Sequence, residues 1–195
     1  AVAGSLRGRR EGLAPPYTAQ FKNINAQHEM SYDDSRTEGT AKMNDELRSV
    51  HQSCPATKFI LSGFSQGAVI AGDVADEIGG GQGLVPAESI AGVALIADGR
   101  RQNGVGQNPG RKVGGVGAEI ALQPVSGLVQ PIVPGASMRG ARQNGFGSLA
   151  DRTFQICAPN DSVCDAPPNV TNALERAQGL IAANGVHAQY ASNSG

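Results

Sequence analysis

Between Lys58 and Gly81 the hydrophobic pattern changes period once, and the change locates the centre of the chain. Phe59-Ile60-Leu61 is a short continuous apolar run, which predicts a buried strand. Beyond it Ile70, Val74 and Ile78 recur every four residues with Ala71 and Ala75 beside them, while Asp73, Asp76 and Glu77 fall on another face. That spacing predicts an amphipathic helix directly after the strand. Gly79-Gly80-Gly81 stops it.

Elements of the same two periods lie on either side. Upstream, Pro16 to Phe21 reads as a short strand anchored by Tyr17 and Phe21, and Asn23 to Met30 as a polar loop. Ser35-Arg36-Thr37-Glu38 reads as a capping box. The helix it opens carries Met43, Leu47 and Val50 on one face and ends near Ser53, and Cys54-Pro55 then turns the chain into the Phe59 strand. Downstream, Ile90 to Ala97 predicts a second, fully buried parallel strand, ending in Asp98-Gly99-Arg100-Arg101. Residues 102–148 are rich in Gly, Pro, Asn and Gln and predict a long loop with apolar islands at Ile120 to Leu122 and Leu128 to Val133. Thr153 to Cys157 reads as a third strand. Pro167-Pro168 precede a helix with Val170, Leu174, Ala177 and Ile181 as its apolar stripe and Asn184-Gly185 as its cap. Residues 2–10 read as a helix end or a loop. Strand, helix, strand, loop, strand, helix is an α/β layout, with a site expected at the carboxyl ends of the strands.

Composition narrows the function classes. A chain of 195 residues predicts one domain, and 39% hydrophobic residues suffice for a core. A net charge of −1 leaves no basic footprint for nucleic acid. No apolar run approaches the roughly 18 residues of a membrane span. No phosphate-binding G-x-x-x-x-G-K-[ST] pattern occurs, and no signal peptide heads the chain. Cys157 and Cys164 flank a short loop containing Pro159, Asn160 and Asp161, which reads as a disulfide and so as an oxidising compartment. With no neighbouring histidine the pair is a poor zinc site. Cys54 is left over.

The chemistry lies where the first strand meets its helix. Gly63-Phe64-Ser65-Gln66-Gly67 fits the G-x-S-x-G nucleophile elbow. Such a turn holds the serine in a strained backbone conformation above the sheet, and side chains at Gly63 and Gly67 are expected to clash across it. The Gln66 backbone N–H and the positive end of the helix point to where an oxyanion forms. A serine nucleophile needs a base and an orienting carboxylate. His187 is the one histidine after Ser65; His28 and His51 precede it and read as solvated. Asp161, inside the cysteine loop and after a predicted strand, is the leading acid, with Asp165 and Asp98 as alternatives.

The Gly63 to Ala68 run, the Cys157–Asp161–Cys164 loop and the late His187 together resemble the cutinases. Pro16 to Phe21, Met30 to Arg36, Gly63 to Asp73 and Leu95 to Gln102 resemble the cutinase-like phospholipase/thioesterase branch of mycolic-acid-containing bacterial envelopes. The resemblance implies a cutinase-like α/β-hydrolase: a central, mostly parallel sheet with helices on both faces. It implies a single domain over residues 1–195 that lacks the family's first strand and last helix. Ser65 is then the nucleophile, Asp161 the acid, His187 the base and the Gln66 N–H an oxyanion donor. The second donor and a partner for Cys54 come from a segment before Ala1. Asn160 stands where the family carries Gly and is expected to adopt the left-handed conformation. No metal or organic cofactor is implied. The implied partner is a lipid acyl ester or thioester substrate met at a membrane surface by an exported monomer of the envelope, periplasm or medium. Residues 102–148 are expected to line the acyl site. Two alternatives use the same scaffold: an acyltransferase with the same three residues, and a lipid-binding envelope protein of weak activity.

Overall fold

A computed structural model describes residues 11–169, 171–182 and 185–190. The principal elements are α1 (Tyr32–Ser53), β1 (Phe59–Phe64), α2 (Gln66–Gly79), β2 (Ile90–Ile96), α3 (Ala118–Ala121), α4 (Ser126–Val129), β3 (Thr153–Ile156) and α5 (Ala173–Ile181). The strands form one parallel sheet in the order β1-β2-β3. Its register aligns the carboxyl ends, with Phe64 opposite Ile96 and Ile96 opposite Ile156. Ser65 and Cys157 therefore leave the sheet at the same level. Hydrogen bonds from Ser65 N to Ile96 O and from Ala97 N to Ile156 O carry the pairing one step past the strands.

Helix α2 lies on the sheet because its apolar period meets the alternating inward residues of the strands. Leu61, Val93 and Leu95 pack with Ala71, Val74, Ala75 and Ile78, and Phe146 and Leu149 close the end of this core. Each buried Val, Leu or Ile among them stabilises the fold by about 1.5–3 kcal/mol. Helix α1 packs outside α2. On the opposite face Ile60, Phe154 and Ile156 are exposed among the described residues. The short helix His187–Gln189 covers the carboxyl end of that face, where the Phe64 ring stacks on His187. A second cluster, with Leu122, Val129, Ile132, Val133 and Met138 against Ala173 and Ala177, joins the long excursion to α5.

Several expectations are corrected. Pro16 to Phe21 is not a strand, because no strand lies beside it. Its backbone is bonded by side chains instead: Thr18 N–H donates to Glu38, Gln20 N–H to Ser35 and Phe21 N–H to Glu29. Helix α1 starts a turn before the predicted capping box. Ser31 is its N-cap, its hydroxyl accepting from Asp34 N–H and donating to the Asp34 carboxylate. Ser35 is buried inside the helix. The excursion over residues 102–148 is not wholly loop, since it contains α3 and α4. Helix α5 keeps Ala177 buried and Ile181 packed against the core as the stripe predicts, but Leu174 is exposed and Ala173 is buried in its place. Val170, Asn184 and residues 2–10 lie outside the described residues.

Candidate active site

The elbow forms as the sequence predicts. Ser65 has φ 54° and ψ −121°, a conformation that costs a non-glycine residue on the order of 1–3 kcal/mol. The turn is so tight that a Cβ on Gly63 would sit 2.1 Å from Gly67 O. Gly67, expected to clash as well, has room: the nearest atom to its Cβ would be the Tyr17 phenol oxygen at 3.8 Å. Gln66 is the first residue of α2, so its N–H is among the amides with no acceptor inside the helix. Its side chain has a separate task that the sequence did not announce. Gln66 Nε2 donates to Gln20 O, and Gln66 Oε1 accepts from the Ser35 hydroxyl, which fastens residues 17–21 and α1 to the elbow.

The structure brings Ser65, His187 and Asp161 together. His187 Nε2 lies 2.9 Å from Ser65 Oγ. Its Nδ1 lies 3.0 and 3.1 Å from the two oxygens of Asp161. Asp161 is fully buried, and its Oδ1 also accepts from Val163 N–H at 2.8 Å. Burial pushes the Asp161 carboxyl upward, but hydrogen bonds from His187, Tyr190 and the Val163 amide outweigh it and hold the group below the ordinary aspartate value. Asn160, just before it, is left-handed with φ 66°. The Cys157–Cys164 disulfide closes the loop around it. Asp165 stands apart from His187; its oxygens accept from the Gly115 and Asn160 amides. Asp98 is buried against Arg142. His28 lies in an exposed turn and His51 in the last turn of α1, both outside the site. Cys54 is a free, exposed cysteine among the described residues.

Ser65, Gln66 and His187 sit on the wall of a cavity of about 420 Å³. Its other walls are largely apolar: Phe21, Phe64, Val69, Val133, Met138 and Leu180. The excursion over residues 102–148 thus contributes to the pocket through Ala118, Glu119, Val133 and Met138, while Leu128 is exposed and Val129 and Ile132 are buried in the same cluster as Val133 and Met138 without lining the cavity.

Behind this wall lies an ionic network that sequence reasoning missed. Asp73 pairs with Arg100, Arg139 and Arg142 at 2.6–2.9 Å. Arg142 also pairs with Asp98, and Arg139 with Glu119, which accepts from Tyr32 OH. Burial raises the Asp73 carboxyl, yet the three guanidiniums together hold it below its ordinary value. Arg142 reaches Asp98 by lying against Gly72, where a Cβ would fall 2.3 Å from its Nη2. The network ties α2 to the Asp98–Arg101 turn and to residues 139–142.

The Cutinase family's sequence model matches residues 10–194. A Corynebacterium glutamicum protein named "Carboxylesterase Culp6 homolog" is 69% identical over 178 residues, 91% of this chain and 58% of its own length. A Mycobacterium tuberculosis protein named "Probable carboxylesterase Culp7" is 26% identical over 146 residues, 74% of this chain and 66% of its own length. The chain thus spans about six-tenths of the length of these relatives. Among solved structures, the catalytic core domain of acetyl xylan esterase from Trichoderma reesei superposes with a TM-score of 0.57 at 20% identity, covering 91% of this chain and 81% of its own. That likeness is one of fold. It agrees with the parallel sheet and flanking helices described above. The match of the family model to residues 10–194 shows that the chain belongs to the cutinase family.

Proposed function

We propose that this chain is a serine carboxylic ester hydrolase in which Ser65 is the nucleophile, His187 the general base and Asp161 the acid. The observation that carries the reading is the unbroken line Ser65 Oγ–His187 Nε2 and Nδ1–Asp161 at the edge of an apolar cavity. Ser65 Oγ attacks the acyl carbonyl while His187 Nε2 takes its proton. Asp161 keeps Nδ1 protonated and stabilises the imidazolium. The developing oxyanion is met by the Gln66 N–H and the positive end of α2. His187 returns its proton to the departing alcohol or thiol, and water releases the acid from the acyl-enzyme.

The apolar walls favour the acyl part of a lipid ester or thioester over a polar substrate. Together with the sequence resemblance they support a phospholipase A and thioesterase type of activity in mycolate envelope lipid metabolism. The disulfide supports action outside the cytoplasm. The test is hydrolysis of acyl esters and thioesters of graded chain length by the wild-type protein and the Ser65→Ala variant. Release of free fatty acid by the wild type alone is expected. Equal release by both would overturn the reading, and transfer to an added alcohol in place of release would redirect it to acyl transfer.

A further inference from the structure

We propose that Tyr190 is a positioning residue that fixes the acid of the triad, acting from the end of the short helix that carries the base. The inference rests on the triad reading above and assigns a role to a side chain outside it.

Tyr190 OH donates to Asp161 Oδ2 at 2.7 Å and accepts from Ala158 N–H at 2.9 Å. A phenol has one proton. The Ala158 amide occupies a lone pair, and Cys164 Sγ, 3.4 Å away, is bonded to Cys157 and has no proton to give. The one O–H is thereby turned toward the carboxylate. Asp161 is fully buried, so without the phenol a lone pair of Oδ2 would face no donor, at a cost that water cannot make good. Burial and the neighbouring carboxylate keep the phenol itself from ionising, and it remains a donor throughout the working range.

The placement follows from local geometry. Tyr190 is three residues after His187, and in a 3-10 turn side chains three apart eclipse. One turn therefore aims the imidazole at Ser65 and the phenol at the acid loop. The Tyr190 ring meets Phe64 edge-on at 5.6 Å, and Phe64 stacks on His187 at 4.9 Å. The tyrosine touches the residue before the nucleophile, the carboxylate and the disulfide loop at once. It holds the carboxylate in the orientation that receives Nδ1–H.

The test uses the full chain with Tyr190→Phe, which removes one oxygen and keeps the ring. With an ester substrate kcat should fall about tenfold and KM should stay unchanged, the usual scale for one hydrogen bond to a charged group. In an Asp161→Asn background the same substitution should have no further effect, because the phenol acts through the carboxylate. The low-field Nδ1–H proton resonance of His187 should also move in Tyr190→Phe. Wild-type kcat in the variant, or an equal loss in both backgrounds, overturns the assignment, as does an unmoved resonance. In those cases hydrolysis by the wild type leaves the triad standing. A wild type without hydrolysis removes the triad reading, and the tyrosine's role with it.

Discussion

His187 Nε2 lies 2.9 Å from Ser65 Oγ although 122 positions separate the two residues. The contact depends on β1 and β3 ending at one level, so that the elbow and the acid loop leave the sheet side by side. It also depends on Phe64, whose ring stacks on the imidazole from the residue before the nucleophile.

On the proposed triad Asp161 and Asp165 should separate by function. Asp161→Asn should lower kcat by about 10⁴, because an amide cannot hold the base in the required tautomer. Asp165→Asn should leave kcat within roughly tenfold, since Asp165 serves the Gly115 and Asn160 amides and not His187. Steady-state kinetics on both variants checks this, and the reverse order would assign the acid to Asp165.

The disulfide holds a loop of sequence separation 7 around the acid. Replacing Cys157 and Cys164 by Ser should lower stability by about 2–3 kcal/mol. It should lower kcat as well, because the loop bears Asp161. Thermal melting and kinetics together read both effects. Thiol titration of this 195-residue chain, unfolded without reductant, should find one free thiol, that of Cys54.

The buried ion network should govern stability and its pH dependence. Asp73→Asn leaves guanidiniums short of a counter-charge and should cost about 3–5 kcal/mol at neutral pH. The Asp73 carboxyl is held below its ordinary value of 3.8, so its stabilisation is complete above that value and fades as pH falls through the depressed one. Denaturation of wild type and variant should therefore differ by a constant amount above about pH 5 and converge only as pH falls through the depressed Asp73 value.

Leu180 projects from α5 into the cavity wall. Leu180→Trp should narrow the cavity and reduce kcat/KM for long acyl esters at least tenfold more than for acetyl esters, about the discrimination one or two methylenes provide. Equal loss for both lengths would remove the cavity from acyl recognition.

What the sequence showed and what it hid divide along physical lines. The strand–elbow–helix unit was legible because its signals are local: an apolar run, a forced glycine at 63 and a four-residue stripe. His187 and Asp161 were legible through chain order and the cysteine loop. The Asp73 network was not, since Arg139 and Arg142 lie 66 and 69 positions from their partner and leave no local pattern. The start of α1 was misplaced because Ser31-x-x-Asp34 and Ser35-x-x-Glu38 offer similar caps, and only the first frees Ser35 to bind Gln66. Residues 16–21 carried strand-like residues but no neighbouring strand, so side chains took their backbone groups.

In the proposed mechanism Ser65 is activated by His187 and not merely exposed in a tight turn. Mass spectrometry of the protein after brief exposure to a fluorophosphonate tests it most directly. A single adduct on the Ser65 peptide is predicted, absent from Ser65→Ala and strongly slowed in His187→Ala. An unlabelled Ser65 in the wild type, or labelling at an equal rate in His187→Ala, would contradict the account.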